Sequence, residues 1–378
     1  MSLEEQCQDN QVIQEKNEPK VIQTEKRSKK NKKQKKKQQQ PSPTIKQIVE
    51  YIWLGGNNEF RSKTRVLENI YGLKDVPKWN FDGSSTCQAS GEDSEIILNP
   101  CAFYNDPLRK GNHKLVLCET YKPNGEPCEN NHRKWALNIM NKQKTHEPMF
   151  GLEQEYFLIN PYTHQPLGYD ENQEQGQFYC GVGTFNVFGR VIVDEHLSAC
   201  IEAGIQMSGT NAEVAPGQWE FQVGPCIGID AGDQLLMARY LLVLIAEKYH
   251  TCVNYEPKPL KGKWNGSGCH TNFSTKEMRH GTKKKKGITF INQAIEKLSK
   301  KHIEHMDVYG SGNEERMTGK YETASYDTFS SGIANRGASI RIGNENYKNK
   351  KGYFEDRRPS SNCNPYLVTG KLVDTILC

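Results

Sequence analysis

The chain has 378 residues, 35% of them hydrophobic and 25% charged, the make-up of a soluble globular protein long enough for two domains or one large one. Its formal charge of +5 is local: residues 1–40 hold 11 of the 50 Lys and Arg and 6 of the 45 Asp and Glu, leaving 39 of each sign in the remainder. A neutral body gives no electrostatic case for nucleic acid or membrane binding, and the longest apolar run, Leu235 to Ala246, contains Arg239 and is too short to span a bilayer.

Along the chain, residues 1–42 form a Lys/Gln-rich stretch ending KRSKKNKKQKKKQQQPSP, expected to be a disordered basic extension because it has too little apolar surface to offset its ordering entropy. The acidic, polar start MSLEEQCQDN lacks a secretory pattern, and the 12 cysteines include no C-x-x-C, so a reducing, cytoplasmic setting is expected. Residues 43–130 read as a small sheet-bearing domain with strands near Ile48–Leu54, Glu95–Leu98 and Lys114–Glu119. The Pro/Gly/Asn-rich stretch 122–131 marks a boundary, followed by a helix over His132–Lys144. Residues 131–378 read as a second domain, with helices expected at Asp194–Ala203, Ala231–Tyr249 and Ile288–His305. His302 and His305, on the basic segment KLSKKHIEHM, are expected at the surface.

Five strand-like segments each set one apolar face against one of carboxylate, imidazole or guanidinium. Glu153 and Glu155 oppose Leu152 and Tyr156, Glu220 and Gln222 oppose Trp219 and Phe221, and His270, Asn272 and Ser274 oppose Phe273. Arg341 lies against Ile340 and Ile342, and Tyr353, Glu355 and Arg357 align. A solvated sheet face would show the same alternation, but would draw on Lys, Thr and Ser. A wall of Glu153, Glu155, Glu213, Glu220, His270 and Glu355 repels itself unless cations enter it, and oxygen donors with one imidazole suit Mg²⁺ or Mn²⁺. Neither glycine-rich phosphate motif occurs, so any ATP chemistry has to rest on metals and arginines.

The runs NFDGSST (80–86), KLVLCE (114–119), FGLEQEYFL (150–158), GTNAEVAPGQWEFQVGP (209–225), KWNGSGCHTNFST (263–275), MTGKYET (317–323), ANRGASIRI (334–342) and YFEDRRPS (353–360) resemble glutamine synthetase of the eukaryotic class over about residues 46–370. The resemblance implies an α+β protein: a small N-terminal β-grasp domain plus a larger catalytic α/β domain with a curved antiparallel sheet. It implies formation of glutamine from glutamate, ammonium and ATP through γ-glutamyl phosphate. It also implies a homo-oligomer, a decamer of two pentameric rings with active sites between subunits. By position, Glu155, Glu213 and Glu220 match the ligands of the metal nearer glutamate, and Glu153, His270 and Glu355 those of the metal bridging the ATP phosphates. Arg316, Asn265, Gly266, Arg336 and Arg357 match glutamate contacts. Arg336 and Arg341 match the arginines on the nucleotide phosphates, and Asn272, Ser274 and Tyr353 the nucleotide pocket. Asp82 matches a carboxylate that a neighbouring subunit contributes to ammonium, and Glu322 a flap carboxylate.

That chemistry accounts for the residue types. A carboxylate becomes an acceptor for ammonia only once its oxygen is made a leaving group, and ammonium has to lose a proton before it attacks. Two other classes remain for such a sequence: a structural protein on the same fold, and a γ-glutamyl ligase for a bulkier amine. The six expected metal ligands argue against the first, and Asp82 with Glu322 against the second. Glu315 stands where the pattern has a second arginine, Gly55 where an aspartate is expected, and Lys263 where the family usually carries a small or amide residue.

Overall fold

The computed structural model describes residues 44–378; the expected disordered extension at 1–42 lies outside the described residues. Among them two sheets form. The first takes β1 (Lys46–Leu54), β2 (Phe60–Glu68), β3 (Trp79–Asp82), β4 (Glu95–Asn105) and β5 (Lys114–Tyr121) in the order β2-β1-β5-β4-β3. Its centre is the parallel pair β1/β5, and both strands are near-continuous apolar runs because neither face reaches water. The edge strand β2, FRSKTRVLE, carries charges that discourage further pairing.

The second sheet takes β6 (Met149–Ile159), β7 (Met207–Ala212), β8 (Gln218–Ile227), β9 (Cys252–Asn254), β10 (Cys269–Ser274), β11 (Ser331–Ile333), β12 (Ile340–Ile342) and β13 (Phe354–Asp356). The order is β11-β12-β13-β10-β6-β8-β7, with β9 also on β6. Every pair is antiparallel except β11/β12, which is parallel, and the sheet curls. Its apolar face, with Leu152, Tyr156, Phe221, Val223 and Phe273 buried, packs against the helices Arg190–Ala203 and Asp230–Lys248. This leaves the polar face of the central strands free for chemistry.

The expected strands are present and longer; Glu95–Leu98 continues through an irregularity at Pro100/Ala102 to Asn105. The helix expected from Asp194 starts at Arg190, after Gly189 in the left-handed region (φ 85°). The single helix expected over Ile288–His305 is two, Gly287–Lys300 and His302–Met306, because the backbone leaves helical geometry at Lys301. His302 and His305 are not at the surface. His305 bonds the Tyr309 hydroxyl at 2.7 Å and Thr375 Oγ1 at 2.9 Å, and His302 bonds the Tyr326 carbonyl at 2.8 Å. The lysines of that segment face water while its i, i+3 histidines turn inward.

One buried ionic node ties the sheets' flanks together. Arg133, on the helix His132–Lys142, donates from Nε and Nη2 to the two carboxylate oxygens of Asp233 at 2.7 and 2.8 Å, and from Nη1 to Glu119 of β5 at 3.2 Å. The Tyr366 hydroxyl donates to Asp233 at 2.6 Å. Asp233→Ala strands a buried guanidinium, so unfolding by denaturant is expected to show a loss of about 3–5 kcal/mol; a loss under about 1 kcal/mol would mean the node contributes little.

Candidate active site

Strand pairing assembles the polar wall. Register sets His270 of β10 opposite Glu153 of β6, and Glu155 of β6 opposite Glu220 of β8. Glu355 of β13 lies between Asn272 of β10 and Arg341 of β12, and Asn211 of β7 lies opposite Glu220. Cross-strand neighbours of this kind sit side by side on one face, so residues about 200 positions apart meet in one cavity. That cavity, of about 220 Å³, is lined by Glu153, Glu155, Glu213, Glu220, His270 and Glu355 together with Arg316, Arg336, Arg341, Arg357, Asn265, Gly266 and Glu322. A second cleft of about 530 Å³ is lined by Asn272, Ser274 and Tyr353 and shares Glu153 and Gln222 with the first. Sixteen of the seventeen residues singled out from the sequence line one or the other. Asp82 lines neither; it lies exposed at the end of β3.

Burial raises the carboxyls of Glu155, Glu213 and Glu220 to about 8 each, with Glu213 acting on Glu155, Glu220 on Glu213, and Glu153 and Glu155 on Glu220. Glu153 is raised too, again chiefly by burial. Burial and the Arg357 charge push His270 well below the ordinary imidazole value. Its approaches of 3.7–3.8 Å to Glu153, Glu155 and Glu355 are therefore not ion pairs, and its ring offers a neutral ligand nitrogen. Ligand atoms of Glu153, Glu220 and His270 lie within 4.8 Å of one another, drawing members from both expected metal sets. Hard oxygen donors, one neutral imidazole and carboxyls destabilised by mutual charge fit Mg²⁺ or Mn²⁺.

The guanidinium groups are held with equal care. Arg341 and Arg357 each take one oxygen of Glu355, at 2.8 and 2.6 Å. Arg316 is buried: its Nε donates to Asn313 Oδ1 at 2.9 Å and its Nη2 to the carbonyls of Arg357, Arg358 and Pro359 at 3.2, 2.7 and 3.3 Å. Burial lowers Arg316 to about 10, so it stays charged at neutral pH. Gly266 leaves room for it, since a Cβ at 266 would stand 2.5 Å from Arg316 Cγ and 2.2 Å from the Pro257 carbonyl. Three buried polar atoms of the cavity wall, Gln218 Oε1, Asn265 Oδ1 and Arg341 Nε, make no hydrogen bond among the described residues. Two acceptors and a guanidinium donor match a ligand with an amino group and an anionic group.

The loop of Tyr321, Glu322 and Thr323 lines part of the cavity. Tyr321 and Glu322 both have left-handed backbones (φ 53° and 61°), unusual for side-chain-bearing residues and a mark of stored strain. Arg357 Nη2 donates to the Glu322 carbonyl at 3.2 Å, and the exposed Glu322 carboxylate lies 3.6 Å from Arg336. Asp82 is fixed by the Ser84 amide at 3.1 Å and the Ser84 and Ser85 hydroxyls at 2.7 Å, which hold its carboxyl down at about 2.

Sequence reasoning passed over Asn211, which donates to Glu213 at 2.9 Å, and Gln222 as a partner of Glu220 at 2.6 Å. For Gln222 the signal was available, because it stands two residues from Glu220 on one face of β8, whereas Glu213 lies just beyond the end of β7. Tyr179, beside Arg336, had no such signal. Glu315 does not enter the cavity; it pairs with Lys261 at the surface, which neutralises the charge where an arginine was expected. Gly55 has the Glu59 carboxylate packed where its Cβ would be, 2.3 Å away, and that carboxylate pairs with Arg61 at 2.7 Å.

Residues 130–377 match the family of the glutamine synthetase catalytic domain. Over 341 residues the chain is 53% identical to the chloroplastic glutamine synthetase of Brassica napus, covering 88% of this chain and 79% of that one. It is 52% identical over 341 residues to the cytosolic isozyme 1-1 of Oryza sativa subsp. japonica, covering 88% and 95%. It is 50% identical over 341 residues to the cytosolic isozyme of Pinus sylvestris, covering 88% and 94%.

Proton linkage gives a test of the carboxylate wall. Groups raised from 4.5 to about 8 bind more protons in the folded than in the unfolded chain across that window. Their contribution to stability is present below the unfolded value and is lost as pH rises through about 8. Divalent ions compete with those protons, so the gain in Tm from Mg²⁺ or Mn²⁺ over the chelator-treated protein should grow between about pH 6 and pH 8. An equal gain at both ends of that range would argue against this cluster as the metal site.

Proposed function

This chain belongs to the glutamine synthetase family, and from that premise we propose that its cavity joins ammonia to the γ-carboxylate of glutamate in two steps, through a γ-glutamyl phosphate formed from ATP. The overall activity is that of a glutamate–ammonia ligase, forming glutamine from glutamate and ammonia with ATP. The observation that carries the two-step reading is the convergence of four arginines and six metal-ligand side chains on one cavity that opens into the cleft of Asn272 and Tyr353.

Glu155, Glu213 and Glu220 would hold one Mg²⁺ or Mn²⁺ and Glu153, His270 and Glu355 a second, and such ions neutralise carboxylates and transferring phosphoryl oxygens. Arg316, charged and buried, binds the α-carboxylate of glutamate. Asn265 and Gly266 receive its amino group, for which the unpaired Asn265 Oδ1 is an acceptor. Asn272, Ser274 and Tyr353 hold the nucleotide, with Glu153 and Glu220 at its phosphate end. Arg336 and Arg341 balance charge on its phosphates, and Arg357 faces the γ-carboxylate and the phosphoryl group it receives.

Attack of the γ-carboxylate oxygen on the terminal phosphorus releases ADP and makes an acyl phosphate. Ammonia then adds to that carbonyl and phosphate leaves. Asp82, held ionised by its serine contacts, attracts ammonium; Glu322 takes a proton and closes the cavity to water. Since Asp82 does not line the cavity of its own chain, we infer that a neighbouring copy supplies it, in a homo-oligomer of two five-membered rings with sites between subunits. We place the domain boundary near 130/131 and the enzyme in the cytoplasm, a compartment in line with the cytosolic rice and pine relatives. No described helix is long and apolar enough to cross a membrane.

Phosphate release from ATP in the presence of Mg²⁺ is expected to require glutamate and ammonium together, with glutamine formed in equal amount. With glutamate alone, a γ-glutamyl phosphate would cyclise through its own α-amino group on quenching and yield 5-oxoproline; none formed would count against the two-step route. Glu322→Ala should leave assembly intact and lower kcat by about 100-fold or more, and unchanged turnover would remove Glu322 from the mechanism. Gly266→Ala should displace Arg316 and raise KM for glutamate more than KM for ATP.

A further inference from the structure

Residues 282–286 read Thr-Lys-Lys-Lys-Lys, all exposed. The run is fixed in place. The Thr282 amide donates to the Lys285 carbonyl at 2.8 Å, and the Thr282 hydroxyl accepts from the Lys284 and Lys285 amides at 3.3 and 3.1 Å. Gly287 is buried, and a Cβ there would meet the Met278 carbonyl at 2.1 Å, so the run folds back on the end of the short helix Lys276–His280. The Ile288 amide donates to the Lys350 carbonyl at 2.8 Å and the Gly352 amide to the Met278 carbonyl at 2.9 Å. These bonds bring Lys348, Lys350 and Lys351 to the same rim. Arg279, Asn346, Gly352 and Tyr353, on the same two segments, line the cleft that is shared with the catalytic cavity at Glu153.

The charges on these segments are unbalanced. Glu147 pairs with Lys276 at 3.1 Å and Arg279 at 3.3 Å, and Glu277 faces His146 at 3.2 Å. Among the described residues, Glu345 is then the carboxylate of these segments left against seven lysines that make no ion pair. The result is a positive rim beside the cleft lined by Arg279, Asn346, Gly352 and Tyr353.

We propose that Lys283–Lys286, with Lys348, Lys350 and Lys351, form an electrostatic rim that captures the polyphosphate of ATP and guides it into the cleft. The proposal rests on the reading of that cleft as the nucleotide site. Attraction from exposed lysines acts on encounter and not on the chemical step, and salt screens it over about 10 Å at 0.1 M.

The test compares the full chain with a variant carrying K283Q, K284Q, K285Q and K286Q between about 25 and 300 mM KCl. At low salt the variant should show KM for ATP raised by about threefold to tenfold, with kcat and KM for glutamate unchanged, and the difference should vanish at high salt. A second variant, K348Q with K351Q, should move the same way by less, and equal melting curves would exclude misfolding. Equal salt dependence of KM for ATP in variant and parent would overturn the proposal. So would an equal rise in KM for glutamate, or weaker retention on heparin with ATP kinetics unchanged, which would assign the patch to another polyanion. If the parent shows no ligase turnover, that reaction fails, but equilibrium binding of a fluorescent trinitrophenyl-ATP across the same salt range still decides the rim.

Discussion

The structure depends on holding six ionisable groups together in a place where water cannot screen them. Glu153, Glu155, Glu213, Glu220, His270 and Glu355 lie on one wall, and burial penalises the charged forms of the first five. A flexible scaffold would relax by spreading them apart. Strands cannot, because each side chain is tied to a backbone ladder whose other face is packed core: Leu152 and Tyr156 behind Glu153 and Glu155, Trp219 and Phe221 behind Glu220, Phe273 behind His270. The protons these carboxyls retain, and the divalent ions that would replace them, are two answers to the same repulsion.

Around that wall the remaining polar groups are placed to hold each carboxylate in orientation. The Gly268 amide donates to Glu155 at 2.8 Å, Asn272 to Glu153 at 2.7 Å, Asn211 to Glu213 and Gln222 to Glu220. Glu355 alone is met by two arginines, and it is the carboxylate nearest the arginine-bearing strand β12. The site is therefore divided into a carboxylate-rich part on β6, β8 and the segment after β7, and an arginine-rich part on β12 and the segment after β13. That division suits a reaction in which a polyanion must sit against both metals and guanidinium groups.

The alternation of β13 continues past its end through Arg357 and Arg358 and carries the order outward. Glu355 and Arg357 face the cavity, while Asp356 and Arg358 face the interior as a fully buried pair, with Arg358 donating to Asp356 at 2.8 and 2.7 Å. Tyr309 donates to the same aspartate at 2.8 Å, and His302 contacts Arg358 at 3.2 Å. The carbonyls of residues 357–359 then hold Arg316. One short strand and the residues that follow it thus set Glu355 and Arg357 directly, and Arg316 through backbone carbonyls.

The sequence by itself determined which carboxylates, imidazole and guanidinium groups share strand faces. The i, i+2 spacing of Glu153 with Glu155 and of Glu220 with Gln222 is a local property of extended chain, and so is the apolar backing. The family motifs added roles to those positions. Tertiary structure decided what local spacing does not encode: the register that sets His270 against Glu153, and the gathering of Glu153, Glu220 and His270 into one group drawn from two expected metal sets. It also turned His302 and His305 inward against a basic-looking segment, and placed Asp82 away from the cavity of its own chain. A helix periodicity records that one face differs from another, but which face is covered depends on partners far along the chain, here Arg358 and Thr375. Pairing between strands over a hundred residues apart is set by the sum of core packing, and no single segment carries that sum.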